Sequence, residues 1–358
     1  VINRYQYPVI EQLWHPTSVI NRWATIEIAA MAARGISGSI RGRMMSVRPT
    51  PYQVRRHEMA TNHEFVAFLQ AWRSNISDAK FDCPPELHAG LTSSDVIDTG
   101  QALALIQAHD TVLHLAGELV SEVEGKGAVS VSQIGRTHGQ YAEPYPAWHP
   151  WEAFGGMLYR QLQRLGTSRD GILLAKLSGP VGRPDPETLD VESTVLRGLG
   201  LFPCDSTQIV PRDGLAHWVG VLAGLATICE AIATRVRLWS QSGVDEYHEA
   251  TGPGQVGSSA MAHKQHNPIL SENICGLARM ARVQAETLQL GVVQWWDRDL
   301  AHSSVERVML PDLCHLTCTI LERTRRLVSD LVFNEDHVAA NLQRAESRKE
   351  AALSEGIA

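Results

Sequence analysis

The chain has 358 residues, 44% of them apolar and 20% charged, with a net charge of −7. Those totals describe a globular protein with room for two or three domains or one long helical assembly. The negative balance argues against nucleic acid or anionic membrane as partner, although a local group of arginines can still seat a small anion.

Helical periodicity governs most of the sequence. After Thr92-Ser93-Ser94-Asp95, the segment VIDTGQALALIQAHDTVLHLAGELV places Leu103, Ile106, Leu113, Ala116 and Val120 at sums of three and four. That spacing predicts a long helix with those five on its apolar stripe. Thr92 and Asp95 stand three apart at its start, an approximate capping box. VSVSQIG, residues 129–135, is the best strand signal. Helices follow over WEAFGGMLYRQLQRLGTS and over GLAHWVGVLAGLATICEAIATRVRLW, whose stripe is Trp218, Leu222, Leu225, Cys229, Ile232, Val236 and Trp239. A last one, LPDLCHLTCTILERTRRLVSDLVF, is predicted to open at Pro311, a residue favoured in first turns. The expected fold class is all-α, with a central long-helix bundle. The expected divisions are an N-terminal helical domain (1–92), the bundle (93–337) and a stub of a truncated C-terminal helical domain (338–358).

Six cysteines are scattered singly, and only Cys314 and Cys318 lie close, four apart on one helix face. Zinc spacing needs further ligands that the sequence does not supply, so the thiols are read as buried core in a reducing, cytoplasmic setting. No signal peptide or apolar run of membrane length is expected.

The stretch TGPGQVGSSAMAHKQHNP holds G-x-G-x-x-G at Gly252, Gly254 and Gly257. A dinucleotide fingerprint needs a buried strand before the glycines, and RLWSQSGVDEYHEA does not read as one. No Gly-Lys-Ser/Thr follows, which removes a phosphate-binding loop. A glycine loop carrying serines remains.

Three polar blocks interrupt the apolar pattern: HAGLTSSDVIDTG, GRTHGQYAEP and GSSAMAHKQHNPILSEN. At a helix start, Thr92, Ser93 and Ser94 could be a carboxylate or phosphate seat, or no more than an N-cap. Taken jointly, in this order, the blocks resemble the signature regions of the fumarase/aspartase superfamily, and within it the adenylosuccinate lyases. NRY at 3–5, LSGPVG at 177–182 and RDLAHSSVERVMLPD add to the resemblance, which runs from about Arg4 to Leu342.

The resemblance implies β-elimination of fumarate from an N-succinyl nucleotide, giving AMP from adenylosuccinate and the aminoimidazole carboxamide ribotide from its succinylated form. It implies Ser258 as the base, His138 as the acid with Glu272 as its carboxylate partner, and supporting roles for His63 and Lys264. A serine hydroxyl is a base only where donors stabilise its alkoxide in a closed pocket, and Gly252, Gly254 and Gly257 fit hinges for such a lid. Arg4, Tyr5, Arg298, Ser303 and Arg307 are implied on the phosphate side, where arginine forks suit the dianion. Thr92, Ser93, Ser259, Lys264 and Asn273 are implied around the succinyl group, Gln208 and His88 near base and ribose, and Asn267 as a further substrate-binding residue. No metal or organic cofactor is implied. A homotetramer with active sites shared between subunits is.

The chain departs from that pattern in its lid, where Ala262 and Gln265 replace a proline and an arginine and His266 looks inserted. Asn62 and Glu64 flank His63 where lysine and aspartate are usual, and YPAWHP brings aromatics where a lysine is expected. Beyond NLQRAESRKEAALSEGIA, further helices would be expected. A lyase acting on another N-succinyl compound, or an inactive helical scaffold, therefore stand as alternatives.

Overall fold

The computed structural model describes residues 1–128, 130–252, 261 and 266–355. A 3-10 turn, Asn3–Tyr5, precedes helices α1 (Pro8–Trp14), α2 (Pro16–Ala33), α3 (Gly38–Ser46), α4 (Pro51–Thr61) and α5 (Glu64–Asp78). The long α6 (Ser93–Gly125) leads to strands β1 (Ser132–Thr137) and β2 (Gln140–Pro146), then α7 (His149–Ile172), β3 (Leu174–Ala175), α8 (Pro186–Leu199) and β4 (Phe202–Pro203). The second half holds α9 (Asp213–Trp239), β5 (Tyr247–Glu249), α10 (Ile269–Gln289), α11 (Ala301–Ser329), β6 (Leu331–Phe333) and α12 (Glu335–Ser354). Among the described residues the strands form only two-stranded sheets, so the all-α expectation holds.

The chain divides into two compact units. The first comprises Val1–Thr111, Thr167–Gly220 and Gln284–His315. Helices α1 to α5 start on proline or on a cap: Thr50 and Gln53 close a capping box before α4, and the His63 ring accepts the Val66 N–H before α5. Its core is aromatic, with Trp23 edge-on to Phe65 and Phe68 at 5.3 and 5.6 Å and Trp72 fully buried beside Phe68. Offset and edge-on ring pairs of this kind add stability beyond the area they bury.

The second unit comprises Val112–Gly166, Val221–Val283 and Leu316–Ala358. Trp151, Trp239, Tyr247 and Phe333 form its aromatic spine, the middle pair stacked at 4.4 Å. β5 pairs antiparallel with β6, and α12 packs on β1.

The α9 stripe lies where the sequence places it, all seven side chains 4% exposed or less. By length and composition α9 is also apolar enough to cross a membrane, against the sequence reading; its stripe is spent on protein core instead. Three other expectations need correction. The α6 stripe is wider and partly displaced: Leu113 is exposed, Leu103 and Ile106 are half-buried, and Ala102, Leu105, Ala108, Val112 and Leu115 are core. Small alanines let neighbours approach a helix on faces that periodicity of large residues does not mark. Pro311 does not open a helix but lies inside α11, because HSSVERVM ahead of it is already helical. Its missing N–H leaves the Arg307 carbonyl without the usual helical donor. The segment before Gly252 does contain a short buried strand, β5, yet its antiparallel pairing with β6 is not a βαβ unit.

Candidate active site

In the first unit, the start of α6 is built around a buried carboxylate. Asp95 accepts the Thr92 N–H at 2.7 Å and the Gly179 N–H at 3.2 Å, and pairs with the fully buried Lys176. This is one arm of the expected capping box, extended to the LSGPVG loop. Burial raises the Asp95 pKa, and Lys176 and the N–H donors only partly counter it. Thr92 and Ser93 remain half-buried at the helix N-terminus, where unpaired N–H groups favour an anion.

His88 has a positive φ of 64° and is held twice by the buried Glu27: its N–H donates at 3.0 Å, and its ring Nδ1 lies 2.7 Å from the carboxylate. The ring also packs 5.1 Å from Phe65. His63 is exposed, and its Nδ1 accepts the Val66 N–H at 3.3 Å, which leaves Nε2 to carry the proton of the neutral ring. Asn62, where the superfamily pattern has lysine, ends α4 with φ 48°, a left-handed conformation asparagine tolerates better.

The phosphate-side candidates lie on three segments, the 3-10 turn, the stretch before α11 and α11 itself. Arg298 Nη1 donates to Gln208 Oε1 at 2.8 Å, and the Gln208 N–H donates to the Asp297 carbonyl at 3.2 Å. Arg307 and Ser303 share α11, and Arg307 Nη1 lies 2.7 Å from Glu64, next to His63. Arg4 and Tyr5 form the short N-terminal turn.

In the second unit, Thr137 pairs with Gln140, so His138 and Gly139 are a two-residue hairpin loop, with φ of 54° and 78°. Both central residues at positive φ mark the turn type that fits the twist of flanking strands. A histidine there is a strained choice that presents its ring at the tip, and His138 is exposed. The hairpin is anchored by Arg136, whose guanidinium makes a two-pronged ion pair with the buried Glu246 at 2.7 and 2.9 Å.

Glu249 caps α10 by accepting the Leu270 and Ser271 N–H groups at 3.0 and 2.7 Å and the Ser271 hydroxyl at 2.7 Å. Glu272 then lies exposed in the first turn of α10, Asn273 bonds to Arg323, and Asn267 precedes the helix. Among the described residues no ion pair or hydrogen bond joins His138 to Glu272. Ser258, Ser259 and Lys264 lie outside the described residues, as do Gly254, Gly257, Ala262 and Gln265.

Sequence reasoning gives no role to Glu27, Asp98, Lys176, Arg212 or Glu306, all buried. For three of them the signal is a charged residue within a mainly apolar stretch: Glu27 in ATIEIAAMAA, Lys176 in ILLAKL and Arg212 in QIVPRDGLA. A charge in such surroundings must find a buried partner.

The Lyase family model matches residues 53–283. The adenylosuccinate lyase of Synechocystis sp. is 34% identical over 350 residues, covering 96% of this chain and 80% of that protein. That of Thermotoga maritima is 33% identical over 355 residues with the same coverage. Among solved structures, the 3-carboxy-cis,cis-muconate lactonizing enzyme from Pseudomonas putida superposes with a TM-score of 0.85 at 22% identity, over 94% of this chain and 78% of that one. A fumarate lyase from Mesorhizobium sp. BNC1 gives 0.82 at 19%, with the same coverage. At those identities the two structures show the fold.

Proposed function

The chain belongs to the adenylosuccinate lyase family of the fumarase/aspartase superfamily, and we propose that it cleaves adenylosuccinate to AMP and fumarate. The succinylated aminoimidazole carboxamide ribotide is its second substrate, cleaved to the amide and fumarate by the same elimination. The observation that carries this reading is 34% identity to an adenylosuccinate lyase over 96% of the chain. It is supported by Ser258, His138 and Glu272 standing in motifs that resemble those of the family.

Elimination removes a proton from the carbon beside a carboxylate and expels an amine from the next carbon. Ser258 takes the proton, and donors around it stabilise both its alkoxide and the dianionic intermediate. His138 gives its proton to the departing nitrogen. His63, with a proton on Nε2 when neutral, assists there by donating a hydrogen bond. Thr92, Ser93, Ser259, Lys264, Asn267 and Asn273 hold the succinyl carboxylates, and Gln208 and His88 hold the nucleoside. Arg4, Tyr5, Arg298, Ser303 and Arg307 hold the phosphate.

The exposure of both His138 and Glu272 in one chain supports their pairing across copies, in a homotetramer. Apolar side chains left exposed on α10, such as Met280 and Val283, support burial of long-helix faces in such an assembly. Thiols without disulfides suit a reducing, cytoplasmic setting.

A second reading, elimination from a different N-succinyl compound, is favoured by one observation: Glu64 already occupies Arg307. Fumarate release followed by ultraviolet absorbance, on adenylosuccinate and on N-succinyl compounds lacking phosphate, decides between them. No release from any of these would leave only the inactive scaffold.

A further inference from the structure

A second buried charged cluster of the first unit has no part in the chemistry above. Arg212 is 6% exposed, Asp98 7% and Glu306 8%. The guanidinium of Arg212 donates to both Asp98 oxygens at 2.9 and 3.0 Å, and to both Glu306 oxygens at 2.8 and 3.3 Å. Its Nη1 also donates to the Val210 carbonyl at 2.7 Å, and the Val210 N–H donates to Asp98 at 2.9 Å. Gln101 reaches Glu306 at 3.1 Å. Burial opposes the charge on Arg212, but the two carboxylates outweigh it, and Arg212 keeps Asp98 ionised.

The partners come from three segments that each carry an implied binding residue. Asp98 follows Ser93 on α6, Glu306 lies between Ser303 and Arg307 on α11, and Arg212 ends the stretch that holds Gln208. Gln208 in turn bonds through its N–H to Asp297 and through its side chain to Arg298. A buried ion cluster is a poor source of net stability compared with apolar packing, whereas a planar five-donor fork fixes directions that a point charge does not.

We propose that Arg212 is a positioning residue: clamped by Asp98 and Glu306, it sets the 208–212 segment so that Gln208 meets Arg298 in register with the starts of α6 and α11. This rests on the proposed function for what Gln208 and Arg298 bind. Arg212 itself touches no substrate.

The test is Arg212→Lys, which keeps the charge and removes the fork. Hydrogen exchange of the peptide spanning residues 205–212 should quicken by about tenfold while the α9 core stays protected. KM for adenylosuccinate should rise on the order of tenfold or more, with kcat changed far less, because binding geometry rather than the reacting groups is disturbed. In a Gln208→Ala background the same substitution should add less than about twofold, since its effect is relayed through that side chain. Unchanged exchange, or effects that multiply fully in the double variant, would overturn the proposal. Should Arg212→Lys not fold, Asp98→Asn, which keeps the shape, gives the same readouts. Wild-type protein releasing no fumarate from adenylosuccinate would refute the functional reading, and the exchange measurement would still judge the clamp.

Discussion

Arg307 Nη1 lies 2.7 Å from a carboxylate oxygen of Glu64, so the arginine assigned to phosphate is already engaged by the residue that follows His63. The two side chains are 55% and 31% exposed, and exposed pairs of this kind are worth about 0–1 kcal/mol. A phosphate dianion must displace or share that carboxylate. Glu64→Gln is therefore expected to lower KM for adenylosuccinate by up to about fivefold, the equivalent of that energy. Arg307→Ala should raise KM for phosphorylated substrate and leave that for the dephosphorylated analogue nearly unchanged. Steady-state fumarate release checks both, and an equal loss on the two substrates removes Arg307 from the phosphate.

Ser258→Ala should lower kcat by about a thousandfold or more, and His138→Gln should do the same, with substrate binding largely kept, because each removes a proton-transfer group. Neither variant should recover alone. Mixed and allowed to exchange subunits, the two should regain up to about a quarter of wild-type activity, since some shared sites then draw both intact residues from different copies. No recovery in mixtures that demonstrably exchange would place Ser258 and His138 of one site on the same chain.

Much of this architecture is legible in the sequence because it is repeated. The α9 stripe is marked by seven large side chains, every one buried. The TSSD start of α6 is marked by residues whose short polar side chains compete for backbone N–H groups. What escapes is whatever depends on partners distant in sequence. Pro311 reads locally as a helix start, and only the continuous helical run around it shows otherwise. The Arg212 clamp joins residues 98, 212 and 306, and none of the three carries a spacing pattern. His138 illustrates a third case: R-T-H-G names the residue, but the hairpin register that sets its φ to 54° is visible only in the pairing of Thr137 with Gln140.

Gly182 couples the LSGPVG loop to the Gln208 segment by close approach. Its φ is 68°, and an added Cβ would lie 1.9 Å from the Ser206 carbonyl oxygen, with the Thr207 carbonyl oxygen at 2.7 Å. Both obstacles are backbone, so no side-chain rotation relieves them. Gly182→Ala should cost about 3 kcal/mol or more through strain at a special φ together with steric overlap. Urea unfolding measures that loss. Any folded fraction should show raised KM as well, because the displaced residues lead directly to Gln208. A variant as stable as wild type would show that the two loops separate easily.

Acid sensitivity follows from His109. Its side chain is fully buried, its Nδ1 accepts the Trp218 indole N–H at 3.2 Å, and its Nε2 has no partner among the described residues. Burial, with a smaller contribution from Arg169, lowers its pKa below the ordinary value of 6.5, against Asp110. Burial lowers His248, His302 and His315 as well. In the unfolded chain these rings take up protons near pH 6.5, while in the fold they stay neutral to lower pH. The unfolded state thus binds more protons below that value, and stability falls as pH drops from the unfolded pKa through the folded ones. Each such group contributes a slope of up to about 1.4 kcal/mol per pH unit within that window and nothing above it. Urea unfolding should show the protein less stable at about pH 5.5 than at about pH 7.5, as the linkage requires. In His109→Gln, which cannot titrate, that difference should shrink by about 1 kcal/mol whatever the variant's absolute stability. An unchanged difference would mean that His109 takes up its proton inside the fold, with Trp218 turned away from Nδ1.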